Sequence, residues 1–222
     1  MLSDLVINPN NSNFAIACEN NIARICNLEI GIVLHIIKHD SEVNSCTYNP
    51  LGTLLITVSN DRFARLWNVE TGELIRLFYH NFLKNVKYSS NNEYLATKTF
   101  SKEIKIWDLN NGLDLKLNKI TDCVNDYNFS YDSKLFITTE IEILKYNIFE
   151  HNQTVKQYSV KIWDVITGEL LHTFKHDDCI KSATITSNNK YLLTLADKSI
   201  SIWNLNTKTL IQEIKDIYTT PS

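Results

Sequence analysis

Glycine and proline are scarce in this chain, at five and three of 222 residues. Five scattered glycines supply neither a glycine-rich phosphate loop nor a dinucleotide fingerprint. Turns must instead be built from Asn, Asp, Ser and Lys, and asparagine is abundant, with 26 copies. Long apolar runs are missing too. The longest, Ile30 to Ile37, is interrupted by His35 and falls far short of the ~20 residues that span a bilayer. The start, Met1-Leu2-Ser3-Asp4, lacks the basic-then-apolar pattern of a secretory leader. The five cysteines (Cys18, Cys26, Cys46, Cys123, Cys179) form no C-x-x-C pair, which suits reduced core thiols better than a disulfide framework or zinc knuckle. A net charge of −3 gives no electrostatic footprint for nucleic acid or an acidic membrane. Asn10, Asn128 and Asn152 open glycosylation sequons, as an asparagine-rich chain does by chance. The expected compartment is the cytoplasm, with the nucleus as the alternative.

What the chain does have is a repeat. Its four tryptophans, Trp67, Trp107, Trp163 and Trp203, stand in "RLWNV", "KIWDL", "KIWDV" and "SIWNL", and "RICNL" puts Cys26 in the same place. Successive spacings from Cys26 are 41, 40, 56 and 40 residues. Gly31, Gly72, Gly112 and Gly168 each follow their anchor by five residues, and His39, His80 and His176 keep a common phase. Thr57, Thr97 and Thr194 precede their tryptophans by nine or ten residues, and Thr138 holds that place in the long copy. Within one period four short runs rich in Ile, Leu, Val, Tyr and Phe alternate with turn signals. In the second copy these are Val43 to Tyr48, Leu54 to Val58, Phe63 to Trp67 and Glu73 to Phe78. Such runs read as strands, four to a unit.

Period, strand count, Trp-Asp dipeptide and upstream histidine together resemble the WD-repeat β-propeller family, over nearly the whole chain. The resemblance implies an all-β fold of five four-stranded antiparallel blades in one domain, with units at about 1–37, 38–78, 79–119, 120–174 and 175–216. It also implies a buried hydrogen-bonded series in each blade. The matching positions are His39, Thr57, Asp61 and Trp67 in the second copy, and His176, Thr194, Asp197 and Trp203 in the fifth. The first, third and fourth copies depart from the pattern, through Asn20 and Cys26, Ser101, and Ile120 respectively, and are expected to be less rigid. Seven blades is the commonest count in the family. Five copies therefore imply a closed five-blade ring, completion of the ring by another chain, or a piece of a longer arc.

No catalytic constellation stands out. The His35/His39 and His172/His176 pairs straddle a strand and a turn, where four-residue spacing does not converge on a metal. Cys179 near His176 reads as core packing, and the acidic pairs Asp177-Asp178 and Glu140/Glu142 read as solvated loops. No cofactor or metal is expected. Binding of a protein or peptide partner on the propeller face is the leading reading. The alternative is an enzyme or small-ligand binder using the central channel around Asn44, Asn85, Asn125 and Lys181, which are mostly amides and poor proton carriers. Arg62, Phe82, Phe100 and Lys102 are candidate partner contacts on one rim. The sixteen surplus residues of the fourth copy are expected to form a hairpin about His151 across 141–159. That hairpin would set Ile141 near Lys161 and carry Tyr146 and Phe149 past the rim. A short helix from Ile143 to Phe149 is the runner-up.

Overall fold

The computed structural model describes residues 2–115, 117, 123–146 and 154–215, and every described element is a strand. Twenty strands form five four-stranded antiparallel sheets, each a meander. The first sheet is β1 (Leu2–Ile7), β2 (Asn13–Cys18), β3 (Ile22–Asn27) and β4 (Val33–Lys38). The second is β5 (Val43–Tyr48), β6 (Leu54–Ser59), β7 (Phe63–Asn68) and β8 (Leu74–Tyr79). The third comprises β9 (Leu83–Tyr88), β10 (Tyr94–Thr99), β11 (Ile104–Asp108) and the short β12 (Asp114–Leu115). The fourth is β13 (Val124–Phe129), β14 (Leu135–Tyr146), β15 (Thr154–Asp164) and β16 (Leu170–His176), and the fifth β17 (Ile180–Ile185), β18 (Tyr191–Ala196), β19 (Ser199–Asn204) and β20 (Thr209–Lys215). These are the blades of a β-propeller. The chain divides into two compact units, 1–115 with three blades and 116–222 with two.

Each strand's burial follows from its place in the blade. Second strands are covered on both faces, as in β6, whereas fourth strands such as β4 and β8 bury only their fifth residue well. First strands pack on one another across a seam, β1 on β5, β5 on β9, and β13 on β17. The blades therefore taper toward their first strands. Between the first and second blades Ala15, Ala17, Ala23 and Ile25 meet Val43, Leu55 and Trp67. Between the second and third, Ile56, Ala64 and Phe78 meet Leu83, Leu95 and Trp107. Between the fourth and fifth, Ile137, Val160, Ile162 and Phe174 meet Ile180, Ala183 and Leu192. Each fully buried side chain of this size contributes roughly 1.5–3 kcal/mol. The small alanines of β2 and β3 let the sheets approach.

Polar stitches repeat across the same seams. Asn44 in β5 donates to the Leu83 carbonyl (2.6 Å), and Asn125 in β13 donates to that of Ile180 (3.0 Å). Asp4 accepts from Ser45 Oγ (2.7 Å), and Asp126 accepts from Ser182 Oγ (2.7 Å). The third residue of a fourth strand reaches the next blade as well: His35 bonds the Glu70 carbonyl (3.0 Å) and Arg76 that of Leu109 (2.8 Å). His35 thus serves as a seam contact.

The shortage of glycine is met by asparagine. Asn11, Asn21, Asn92 and Asn189 take left-handed φ angles between 55° and 67°, a region asparagine enters more readily than other side chains. Asn68 shows a second device: its side-chain oxygen accepts the N–H groups of Glu70 and Thr71, an Asx turn. Gly72 closes that turn at φ 72°, and a Cβ there would meet the His35 ring at 2.5 Å.

The fourth blade carries the surplus residues as an extended hairpin of β14 and β15, twelve and eleven residues long. Its register differs from the expected one. Ile141 faces Tyr158, Thr138 faces Lys161, and Glu140 faces Ser159, three residues from a fold about His151. This register continues the one the other blades share, with Thr138 opposite Lys161 as Thr57 is opposite Arg65 and Thr194 opposite Ser201, and it sets Glu140 and Glu142 beside Lys161, both at 2.7 Å. Strand β14 runs to Tyr146, where the runner-up reading placed a helix. Phe149 and His151 lie outside the described residues, as does Ile120.

Candidate interaction site

Two hairpin turns and two entry loops of the first unit lie on one rim, and their backbones are tied together. The Arg62 carbonyl accepts the His80 N–H (3.0 Å), and the Phe82 carbonyl accepts the Phe100 N–H (2.9 Å). Arg62 and Lys102 hold equivalent turn positions, with φ of 76° and 72°. Phe82 is 64% exposed and Phe100 54% exposed. The tie joins the backbones of these two exposed residues, and Lys84 Nζ lies 5.7 Å from the Phe100 ring centroid. Beside them a depression of about 310 Å³ is lined by Ser3, Asp4, Asn44, Lys84, Asn85 and Phe100. The four blade-edge residues first considered as channel groups divide: Asn44 and Asn125 are engaged with neighbouring blades, Asn85 lines this depression, and Lys181 pairs Asp197. Tyr146 ends β14, opposite Thr154.

Behind the rim lies the buried polar series, and it differs in every tryptophan-bearing blade. In the second, the Trp67 indole N–H donates to Thr57 Oγ1 (2.9 Å), which lies 3.0 Å from His39 Nε2. Asp61, the fourth member of the expected series, lies 3.6 Å from His39. Arg65 stands between them, its Nη1 at 2.8 Å from His39 Nδ1 and 2.7 and 2.9 Å from the Asp61 oxygens. A guanidinium can only donate, so Nδ1 is the acceptor and the His39 proton sits on Nε2, aimed at Thr57. Burial, reinforced by the Arg65 charge and opposed by Asp61, lowers the His39 pKa to about 4. Burial alone would raise the Asp61 carboxyl. Hydrogen bonds from the Asp40 N–H, Arg65 and the Phe63 N–H outweigh it and hold the carboxyl below its ordinary value.

The third blade keeps the Trp107–Thr97 and His80–Thr97 bonds, both 2.9 Å, but through Nδ1 of His80. Ser101 bonds Thr99 within the turn (2.8 Å), and Lys105 lies over the Trp107 ring at 5.3 Å. Burial, with the charge of Lys105, lowers the His80 pKa to about 4.

The fourth blade replaces the histidine by a carboxylate. Trp163 donates to Thr138 (2.9 Å), Thr138 donates to Glu140 (2.6 Å), and Lys161 bridges Glu140 and Glu142. Glu140 is 1% exposed, which corrects its reading as a solvated loop acid. Burial works to lower the Lys161 pKa, but the hydrogen bonds and charges of the two glutamates raise it.

The fifth blade corrects the reading most. Trp203 donates to Thr194 at 3.3 Å, and His176 packs edge-on against the Trp203 ring at 5.2 Å with its buried Nε2 making no hydrogen bond. Asp197 turns outward to Lys181 (3.1 Å), both half-exposed, and has no part in the series. Two changes explain this. The turn from β18 to β19 is one residue shorter than that from β6 to β7, with nine residues from Thr194 to Trp203 against ten from Thr57 to Trp67. And Ser201 stands where the other copies carry Arg65, Lys105 and Lys161. That cation, two residues before each tryptophan, is the signal the sequence reading missed. Asp177 and Asp178 are exposed, and among the described residues no cluster of His, Cys, Asp and Glu fits a metal ion.

Comparison with known proteins points the same way as the five blades. The family model described as WD domain, G-beta repeat matches residues 31–68 and 168–204. Two of the five repeats thus match the WD-repeat family. The chain is similar to the COMPASS component SWD3 of Saccharomyces cerevisiae, 25% identical over 95% of this chain and 70% of that protein. It is similar also to Protein hir1 of Aspergillus terreus, at 24% over 72% of this chain and 15% of that protein. The small ribosomal subunit protein RACK1 of Caenorhabditis elegans matches at 27% over 61% of this chain and 38% of its own length. This WD-repeat chain thus spans well under half of the latter two relatives.

Proposed function

We propose that this chain, read as one WD-repeat domain over residues 1–222, is a non-catalytic scaffold that binds a protein or peptide on the rim formed by Arg62, Phe82, Phe100 and Lys102. The observation that carries the reading is the exposed Phe82–Phe100 pair, fixed by a backbone hydrogen bond beside the depression lined by Asp4 and Lys84. Large exposed aromatics with a cation alongside are the residue types that dominate binding hot spots. A neutral peptide backbone suits the depression, because Asn85 and Ser3 offer it hydrogen bonds while Asp4 and Lys84 give it a direction. The relatives support a life in assemblies: one is named a COMPASS component, another a small ribosomal subunit protein. The extended β14–β15 hairpin, with Tyr146 at the end of β14, is read as a second docking edge. Its place of work is the cytoplasm, with the nucleus as the alternative.

The test is capture from native lysate, with partners identified by mass spectrometry, using the intact chain and a Phe82→Ala/Phe100→Ala variant of unchanged melting temperature. Loss of specific partners from the variant is the expected result. Unchanged capture would make both phenylalanines caps of the blade ends and remove the rim from the account.

A further inference from the structure

The shortened turn and small Ser201 of the fifth blade leave a cavity of about 290 Å³, wholly within the second unit. Its lining includes His176, Ser201 and Trp203 at the seam, with Asp177, Asp178 and Glu213 around them. The equivalent space in the second blade is filled. There Arg65 lies between His39 and Asp61 and satisfies both. In the fourth blade Lys161 fills the matching place. In the fifth, Ser201 is buried at 4% exposure, and among the described residues the buried Nε2 of His176 has no hydrogen-bond partner, as is true of His80 Nε2 in the third. A space of this volume holds several waters and is roomy enough for a long side chain. With serine at position 201, the place that Arg65 fills beside His39 is open beside the His176 ring.

We propose that this cavity is a docking site for an arginine side chain of a partner protein, whose guanidinium takes in the fifth blade the place that the chain's own Arg65 takes in the second. Arginine suits it better than lysine. One planar fork can meet both an imidazole nitrogen and a carboxylate, as Arg65 does, and it gives up water more readily than an ammonium. The carboxylates that would meet it are those of Asp177 and Asp178. Of the three lysines in the lining, Lys215 is already engaged with Glu213 at 3.1 Å. Lys175 and Lys198 are the groups that would instead attract an anion, and the test separates the two. The site adds a second contact to the scaffold reading. It lies in the other unit from Phe82 and Phe100, so either can fail without the other.

The experiment titrates the intact protein with the peptide acetyl-Gly-Arg-Gly-amide and follows the His176 ring and Trp203 indole resonances. Its controls are the citrulline analogue, which keeps the shape and loses the charge, and inorganic phosphate. A saturable shift with the arginine peptide, at least about tenfold weaker with citrulline, is expected. Ser201→Arg should fill the cavity from within, abolish that shift and raise the melting temperature. Ser201→Leu, which blocks the cavity without charge, should abolish the shift should the arginine variant not fold. An equal response to citrulline, a response to phosphate alone, no shift at all, or a shift that survives both substitutions would overturn the proposal.

Discussion

The second and fifth blades carry the same histidine, threonine, aspartate and tryptophan letters, yet only the second joins them. In the second, a continuous chain runs from Asp61 through Arg65 and His39 to Thr57 and Trp67. In the fifth, the chain is cut at His176 and the aspartate faces solvent. What separates them is a residue outside the recognised four: a cation two positions before the tryptophan, and one residue of turn length. A buried charge pair stabilises little in itself, but removing one partner is costly because the other is left alone. That asymmetry makes the comparison testable.

The largest effect should come from making the second blade like the fifth. Arg65→Ser leaves Asp61 and His39 without their common donor and should cost about 3 kcal/mol by denaturant unfolding. Lys161→Ala should cost a similar amount in the fourth blade, because Glu140 is buried. If either variant melts like the parent, the cation is incidental. Next in size, His39→Ala should cost about 1–3 kcal/mol and His176→Ala under about 1 kcal/mol, the latter losing packing on Trp203 but no hydrogen bond. Equal losses would erase the contrast between the blades.

Acid should act on the buried neutral histidines. His39 and His80 titrate at about 4 in the fold, against about 6.5 in an unfolded chain. The unfolded state therefore takes up protons first. Their contribution to stability is complete above about pH 6.5 and is lost as pH falls from there to about 4. Each histidine contributes a slope of at most about 1.4 kcal/mol per pH unit. The Asp61 contribution, with its depressed pKa, is present above the ordinary carboxylate pKa and disappears only as pH falls below it. Melting temperatures across pH 7.5 to 4 check this, and His39→Gln should flatten the curve. A profile that stays level in the parent contradicts the burial of neutral imidazoles. The smallest effect belongs to the hairpin. Replacing Ile141–Tyr158 by Asn-Gly closes the strands at Glu140 opposite Ser159, the pair equivalent to the hydrogen-bonded Thr99–Glu103 pair of the third blade, with a two-residue turn. The fold should lose about 1 kcal/mol or less, chiefly the Lys161–Glu142 pair. Loss of folding would put the extension in the core.

Much of this was legible because repetition makes errors cancel. Trp67, Trp107, Trp163 and Trp203 fix the period, and every strand of the second blade falls within a residue of its expected place. Two kinds of fact were hidden. Arg65 and Lys161 alternate with apolar neighbours, and a lone cation on a strand reads as solvent-facing. Nothing local says that Asp61 and His39, or Glu140 and Glu142, take it up. Asp197 was counted back from Trp203, which conceals the residue missing between Thr194 and Trp203; counted forward from Thr194 it falls at the tip of the shortened turn. Glu140 followed the same logic as Arg65, since a carboxylate beside a turn is ordinarily wet.

One indole N–H in each of the four tryptophan-bearing blades gives a direct reading of the central claim that the cation closes the series. Hydrogen exchange of the four tryptophan side chains, resolved by NMR in the intact protein, reports each bond to its threonine. The account predicts slow exchange for Trp67 and Trp163, whose series are closed. Trp203, partly exposed and bonded at 3.3 Å, should exchange fastest, and Arg65→Ser should speed Trp67 toward it. Trp203 protected as well as Trp67, or a Trp67 rate untouched by Arg65→Ser, would contradict it.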